Sequence, residues 1–266
     1  MLEPLANPMG LLGFEFIEFV ARDQDVLEPV LDALGFVRVA RHRTRDAVSY
    51  RQGSITFIVN HEADGIASCL GTGHGIGFRV KDAQAAYTHA LEVGAVPLDA
   101  HTGPPGTFVL QGIGGTPLYL FDEAGAVDAD YASDVESIAG AAAAPAGHGL
   151  EGIEHVGHAV YGGRLSYWAA LYDSMFRSRA LRCFDIEDQL AGEGIRHIAL
   201  VTGNLADTER RLHKAGVPLK TTGCTALSCR LLGIDFEFVQ KERGQEGTGP
   251  MMVSQASERE FARSER

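Results

Sequence analysis

The chain has 266 residues, 45% of them apolar, which suits one large or two ordinary soluble domains with sizeable cores. Its formal net charge of -12, without a basic run, argues against nucleic acid and anionic membrane surfaces as partners. No apolar stretch is long enough to span a bilayer, the N-terminus lacks a basic segment followed by an apolar one, and Cys69, Cys183, Cys224 and Cys229 show no CxxC spacing, so a cytoplasmic protein with reduced thiols is expected.

Residues 13–20 read as a strand with aromatic alternation. A helix follows, with Val26 or Leu27, Val30, Leu31 and Leu34 at helical spacing and Gly35 at its end. Three short strands come next, at about 36–42, 47–52 and 55–60, giving a β-α-β-β-β unit. A second unit starts with a strand at Gly75. Asp82 is its candidate N-cap, Ala83, Tyr87, Ala90 and Leu91 line one helix face, and Gly94 stops the helix. Strands at about 108–111 and 117–121 close this unit. Residues 123–150 are rich in Ala, Gly and Asp and read as a linker.

After the linker the pattern returns. A strand at 153–160 leads to a helix at about 164–176 with Leu165, Trp168, Tyr172 and Met175 on one face, then to a strand at about 177–186. A strand at 195–201, a helix at about 205–215 stopped by Gly216, and strands near 225–231 and 234–240 follow. Laying the two halves together pairs Phe16 with His155, Gly75 with His197 and Tyr119 with Glu237. Two histidines and one carboxylate, each on its own strand, are the pattern of a facial triad with open positions suited to non-haem Fe(II). The first half carries an aromatic residue or glycine at each matching place. It reads as a scaffold, and the second half as the metal holder. His158 lies three residues beyond His155, so strand alternation turns it to the other face. Glu237 stands between Phe236 and Phe238, where a carboxylate is costly unless paired or metal-bound. Asp235 is a minor competitor on the same strand, Gln240 ends it, and Glu15 and Glu18 around Phe16 read as scaffold or interface. His42, His61, His74, His89, His101, His148 and His213 read as solvated residues. The glycine runs at 71–77 and 112–115 do not lead from a strand into a helix, so they are not phosphate loops.

Several stretches together resemble 4-hydroxyphenylpyruvate dioxygenase, within the vicinal oxygen chelate (glyoxalase-like) superfamily. They are Asn-Pro-Met-Gly at 7–10 with Gly-Phe-Glu-Phe-Ile-Glu-Phe at 13–19, Tyr-Arg-Gln-Gly-Ser-Ile-Thr-Phe-Ile-Val-Asn at 50–60 and Phe-Arg-Val-Lys-Asp-Ala at 78–83. The second half adds Val-Tyr-Gly-Gly-Arg-Leu-Ser-Tyr-Trp at 160–168, Arg-Cys-Phe-Asp-Ile-Glu at 182–187, Gly-Glu-Gly-Ile-Arg-His-Ile-Ala-Leu at 192–200 and Phe-Glu-Phe-Val-Gln-Lys at 236–241. The resemblance implies an α+β fold of two tandem vicinal-oxygen-chelate domains with cupped sheets: 1–122 without metal ligands, 123–150 as linker, and 151–266 binding the metal. It implies that His155, His197 and Glu237 are Fe(II) ligands. A 2-oxo acid would chelate the iron through its carboxylate and keto oxygen, with molecular oxygen as co-substrate for decarboxylation and ring hydroxylation. A homodimer is possible.

The chain also departs from that family. His155 and His197 stand 42 residues apart, against 59 for Phe16 and Gly75. The third module lacks two expected strands, a block that lines the family's substrate pocket with polar side chains. Thr225 to Arg230 is all that stands for a second polar stretch, and Gly-Thr-Gly at 247–249 replaces an aromatic residue between glycines. The tail from Met251 to Arg266 reads as a possible lid helix. A site without its polar recognition groups loses selectivity. Three classes of function are therefore expected to compete: the Fe(II) dioxygenase, a non-redox lyase, isomerase or hydrolase using Mn, Co, Ni or Zn on the same triad, and a non-catalytic homologue.

Overall fold

The computed structural model describes residues 7–20, 24–61, 73–98, 107–122, 135–138, 146–176, 184–189, 192–222 and 225–241. The first half runs β1 (Leu11–Val20), α1 (Gln24–Ala33), β2 (Val37–His42), β3 (Ala47–Gln52), β4 (Ile55–Asn60), β5 (Gly73–Val80), α2 (Ala83–Glu92), β6 (Phe108–Gln111) and β7 (Pro117–Asp122). The short β8 (Val135–Ser137) follows. The second half runs β9 (Leu150–Tyr161), α3 (Leu165–Phe176), β10 (Phe184–Gln189), β11 (Gly194–Thr202), α4 (Leu205–Lys214), β12 (Lys220–Thr221), β13 (Ala226–Leu231) and β14 (Ile234–Gln240). No helix among the described residues is long and apolar enough to cross a membrane.

Local chemistry sets the helix limits. Asp82 caps α2, its carboxylate accepting from the Ala85 N–H at 2.8 Å. Asn204 does the same for α4 through the Asp207 N–H at 3.1 Å. Gly94 and Gly216 follow these helices at φ 99° and 82°, the left-handed region that a side chain disfavours.

The strands form two cupped sheets, one ordered β6-β7-β5-β1-β4-β3-β2-β8 and the other β10-β9-β11-β14-β13-β12. The central pairings repeat. β1 is parallel to β4 and antiparallel to β5, which is parallel to β7. Likewise β9 is parallel to β10 and antiparallel to β11, which is parallel to β14. Register repeats too. Phe16 and Tyr119 both stand opposite Gly77, and Gly75 stands opposite Glu18. His155 and Glu237 both stand opposite Ala199, and His197 stands opposite Gly157. The three residue pairs read from the sequence are thus equivalent in the fold.

The third module is indeed short. Where the first half goes from α1 through β2 and β3 to β4, the next described element after α3 in the second half is β10, which takes the place beside β9 that β4 takes beside β1. Among the described residues β10 is therefore an edge strand. The described β10 covers 184–189, overlapping the strand expected at about 177–186, while residues 177–183 and the expected lid helix at 251–266 lie outside the described residues. The stretch expected to be linker contributes β8, which pairs with β2 at the far edge of the first sheet, and Leu150 already belongs to β9. Three residues, Val-Glu-Ser, carry too little alternation to announce a strand.

One apolar core joins the halves, drawing Leu31 and Leu34 from α1, Ala86 and Ala90 from α2, Tyr172 and Met175 from α3 and Leu212 from α4. Phe78 of β5 meets Phe176 of α3 and Phe184 of β10 at centroid distances of 5.5 and 5.7 Å. The buried Tyr172 hydroxyl accepts from the Ile113 N–H at 3.1 Å. His148 is not solvated as expected: its Nε2 lies 3.1 Å from the Ala33 carbonyl, and burial pulls its pKa below the usual imidazole value. The His89 Nε2 similarly lies 3.2 Å from the Ser174 carbonyl.

Candidate metal centre

Three adjacent strands deliver the three side chains to one place. His155 on β9 and Glu237 on β14 flank Ala199 of the central β11, and His197 lies two residues earlier on that strand. Side chains two apart share a sheet face, so all three project to the same side. A bulge between Ile195 and His197 turns β11 at that point. One ligand atom from each residue falls within 4.8 Å of the others. The His155 and His197 rings meet edge to face at 5.0 Å, and His197 Nε2 stands 3.3 Å from Glu237 Oε2. An ion about 2.1 Å from each atom holds neighbouring ligands about 3 Å apart, so small side-chain rotations suffice to close the set.

The donor chemistry fits a cation. His155 Nε2 is buried and has no hydrogen-bond partner, although a carboxylate oxygen of Asp185 lies 3.3 Å away. The contact is close but misaligned for a hydrogen bond, so the lone pair points elsewhere. On the other side of the ring, Nδ1 is 3.5 Å from Glu154 Oε2. Burial by itself would lower the His155 pKa. Glu154, Asp185 and Glu237 outweigh it and hold the pKa above the usual value. The hydrogen bond from His197 keeps the Glu237 carboxyl below the usual range, against the opposing effect of burial. The centre carries excess negative charge, as a site for a divalent ion requires. The side chains are 17%, 29% and 24% exposed in the order His155, His197, Glu237, so a small molecule can reach them.

The first half shows what the same geometry looks like without donors. Phe16 and Tyr119 are both buried, their ring centroids 5.6 Å apart, and Phe121 joins them. Glu18 is buried beside them, accepting from Asn60 Nδ2 at 2.9 Å and from the Tyr119 hydroxyl at 3.1 Å. The glycines are reciprocal. A Cβ on Gly75 would stand 2.8 Å from Glu18 Oε2, and a Cβ on Gly157 would stand 2.7 Å from the His197 Cβ. In each half, one of the two facing positions is empty so that the other can carry a side chain.

Other candidates take other roles. His158 faces away from the triad, 1% exposed, with the Phe184 and Tyr172 rings 5.5 and 6.1 Å away, and neither ring nitrogen has a hydrogen-bond partner. Asp235 pairs with Arg230 at 3.0 Å. Gln240 supports the start of α4, accepting from the Leu205 N–H at 2.8 Å. Glu15 pairs with Arg79 at 2.7 Å. Sequence reasoning missed Asp185 and Glu187, which line a cleft of about 110 Å³ with Gly157, Ala159, Arg196 and His197. The acidic alternation of Asp185 and Glu187 is the one signal that pointed to them.

Comparison with known proteins agrees with this architecture. Residues 5–136 match the family model described as hydroxyphenylpyruvate dioxygenase, N-terminal. The chain is 44% identical over 193 residues to 4-hydroxyphenylpyruvate dioxygenase of Pseudomonas sp. (strain P.J. 874), covering 70% of this chain and 54% of that protein. It is 32% identical over 253 residues to 4-hydroxyphenylpyruvate dioxygenase of Legionella pneumophila (strain Corby), covering 79% of this chain and 71% of that one. In fold it is similar to a xylose isomerase-like TIM barrel/4-hydroxyphenylpyruvate dioxygenase fusion protein, with a TM-score of 0.74 and 21% identity over 93% of this chain and 51% of the other.

Proposed function

The chain belongs to the 4-hydroxyphenylpyruvate dioxygenase family, and from that premise we propose that it is an Fe(II)-dependent dioxygenase that decarboxylates and hydroxylates an aromatic or related 2-oxo acid, acting in the cytoplasm. The observation that carries the proposal is the convergence of His155, His197 and Glu237, at places where the other half has Phe16, Gly75 and Tyr119. Bound Fe(II) would supply open positions for a chelating 2-oxo acid and for oxygen chemistry. The two imidazoles and the Glu237 carboxylate hold the ion. Glu154 stands at the His155 Nδ1, where a carboxylate fixes ring orientation and raises ligand basicity. The cleft beside the triad, lined by Ala159, Asp185, Glu187, Arg196 and His197, offers room for a substrate on the same face.

Metal analysis of protein purified from iron-replete cells should find about one divalent ion per chain. His197→Ala or Glu237→Ala should each cost most of it while far-UV circular dichroism stays unchanged. An oxygen electrode with a panel of aromatic and aliphatic 2-oxo acids should record uptake matched by CO2 release. Full metal occupancy in both variants overturns the ligand assignment. Substrate turnover under strict anaerobiosis overturns the dioxygenase in favour of a non-redox metalloenzyme.

A further inference from the structure

Resting on that metal-binding reading, we propose that the 2-oxo acid this centre takes is a short aliphatic one whose far end carries hydrogen-bond donors, hydroxyl or cationic N–H, accepted by Asp185 and Glu187. The site selects by those donors and not by an aromatic ring.

The make-up of the cleft wall is the first ground. The cleft adjoins the triad at His197 and is lined by Ala159, Asp185, Glu187, Arg196 and Asp235. Among the described residues, no apolar side chain larger than alanine lines it. An aryl ring is held by apolar and aromatic walls. Pressed against carboxylates, it strips water from charges and returns no hydrogen bond. The first half supplies the contrast. β10 takes the place of β4, so Asp185 opposite Gly157 answers to Ile58 opposite Glu18, and Glu187 opposite Ala159 answers to Asn60 opposite Val20. Ile58 is buried in one cluster with Phe16, Tyr119 and Phe121. The wall that is apolar there is acidic beside the triad.

The acceptors are also unspent. Asp185 and Glu187 are two apart on β10 and share the face that the triad uses. Among the described residues Asp185 pairs only with His155, and Glu187 with nothing. Asp235 on β14 is already paired with Arg230 at 3.0 Å. An ionised carboxylate only accepts, so its ligand must donate. A second carboxylate on the substrate is repelled, and a ring edge has no donor to offer. Arg196, beside His197, brings donors of its own, which suits hydroxyls because they both give and accept. Reach sets the size. Asp185 Oδ2 is 3.3 Å from His155 Nε2, so the first acceptor stands at the edge of the metal centre. Glu187 is one strand period further on, about 7 Å. A molecule chelated at the triad reaches both with a short carbon chain.

Calorimetry and visible spectroscopy on the full chain, loaded anaerobically with Co(II), test this. The probes are 2-oxopentanoate, its 4,5-dihydroxy and 5-guanidino derivatives, phenylpyruvate and 4-hydroxyphenylpyruvate. At least one of the two donor-bearing derivatives should bind about ten-fold or more tighter than 2-oxopentanoate and than either aryl acid. Which of the two does so separates hydroxyl from N–H recognition. Glu187→Ala should cut that preference at least about three-fold, with circular dichroism unchanged. An aryl acid that binds as tightly as the better derivative overturns the proposal, as does a preference unchanged in Glu187→Ala. The two levels stay distinct. If the parent binds no Co(II), the metal centre falls and the substrate class with it. If Co(II) binds and its bands respond best to an aryl acid, the centre stands and only the substrate class falls.

Discussion

Gly157→Ala tests how the centre is built. A Cβ there would stand 2.7 Å from the His197 Cβ and 3.4 Å from its Cγ and Nδ1. Carbon atoms in contact rest about 3.5 to 4.0 Å apart, so the pair must separate by about 1 Å. No rotamer relieves the clash, because both atoms are fixed to paired backbones of β9 and β11. The strands must part or His197 must leave its place. Overpacking of this kind costs about 1–3 kcal/mol. A displacement of about 1 Å is half a metal–nitrogen bond, and misplacements of that size cost about a hundred-fold where geometry is critical. Gly157→Ala should therefore lower Tm and weaken Co(II) by at least about ten-fold. The pair Gly157→Ala with His197→Gly should recover most of the Tm but bind no metal, since it reproduces the arrangement of Glu18 and Gly75. Unchanged Tm and metal affinity in Gly157→Ala would show that the register placing His197 against β9 is wrong.

Two further outcomes follow from buried polar groups. Burial alone holds the His158 pKa at about 3 against an ordinary 6.5. The unfolded chain therefore takes up a proton below about pH 6.5 that the folded chain refuses, and stability falls as pH drops from there toward 3, by about 1.4 kcal/mol per pH unit from this residue. His158→Phe should flatten that part of the acid-stability curve in urea unfolding, and an identical slope in both proteins would refute the assignment. Gln52 is fully buried, its Oε1 accepting from the His148 and Leu150 N–H groups and its Nε2 donating to the Leu34 carbonyl at 2.9 Å. Gln52→Leu should destabilise by about 3 kcal/mol, because it strands buried backbone groups at the junction of the two halves; a loss under about 1 kcal/mol in urea titration would mean that water replaces the amide.

The repeat was legible because strand period and helix stops survive copying. Phe16 and His155 are each followed by a β-branched apolar residue, Ile17 and Val156, on a strand leading to a helix, so they match without coordinates. The triad was legible for the same reason, since three strands of known order and direction fix which residues share a face. Asp185 was not. It lies at the end of the stretch first read as a strand from 177, and nothing local says that β10 pairs directly with β9 once two strands are gone. His148 was misread because its partner, the Ala33 carbonyl, lies 115 residues away in sequence. Composition cannot report a contact made at that distance.

The two halves also explain each other physically. A carboxylate on the cupped face needs compensation for lost hydration, of the order of several kcal/mol if left alone. Glu18 gets it from Asn60 and Tyr119, neutral groups that complete its hydrogen bonds. Glu237 draws chiefly on His197, with a smaller contribution from the Thr222 hydroxyl, and its pKa stays low. Two imidazoles and a carboxylate in the second half thus present the lone pairs that the first half has already spent on protons. Adding histidines at Phe16 and Gly75 would not make the first half a metal site while Glu18 stands where Gly157 stands in the other, because the space required by an imidazole at position 75 is the space Glu18 fills. A metal centre in this fold depends on an absent side chain as much as on the three that are present.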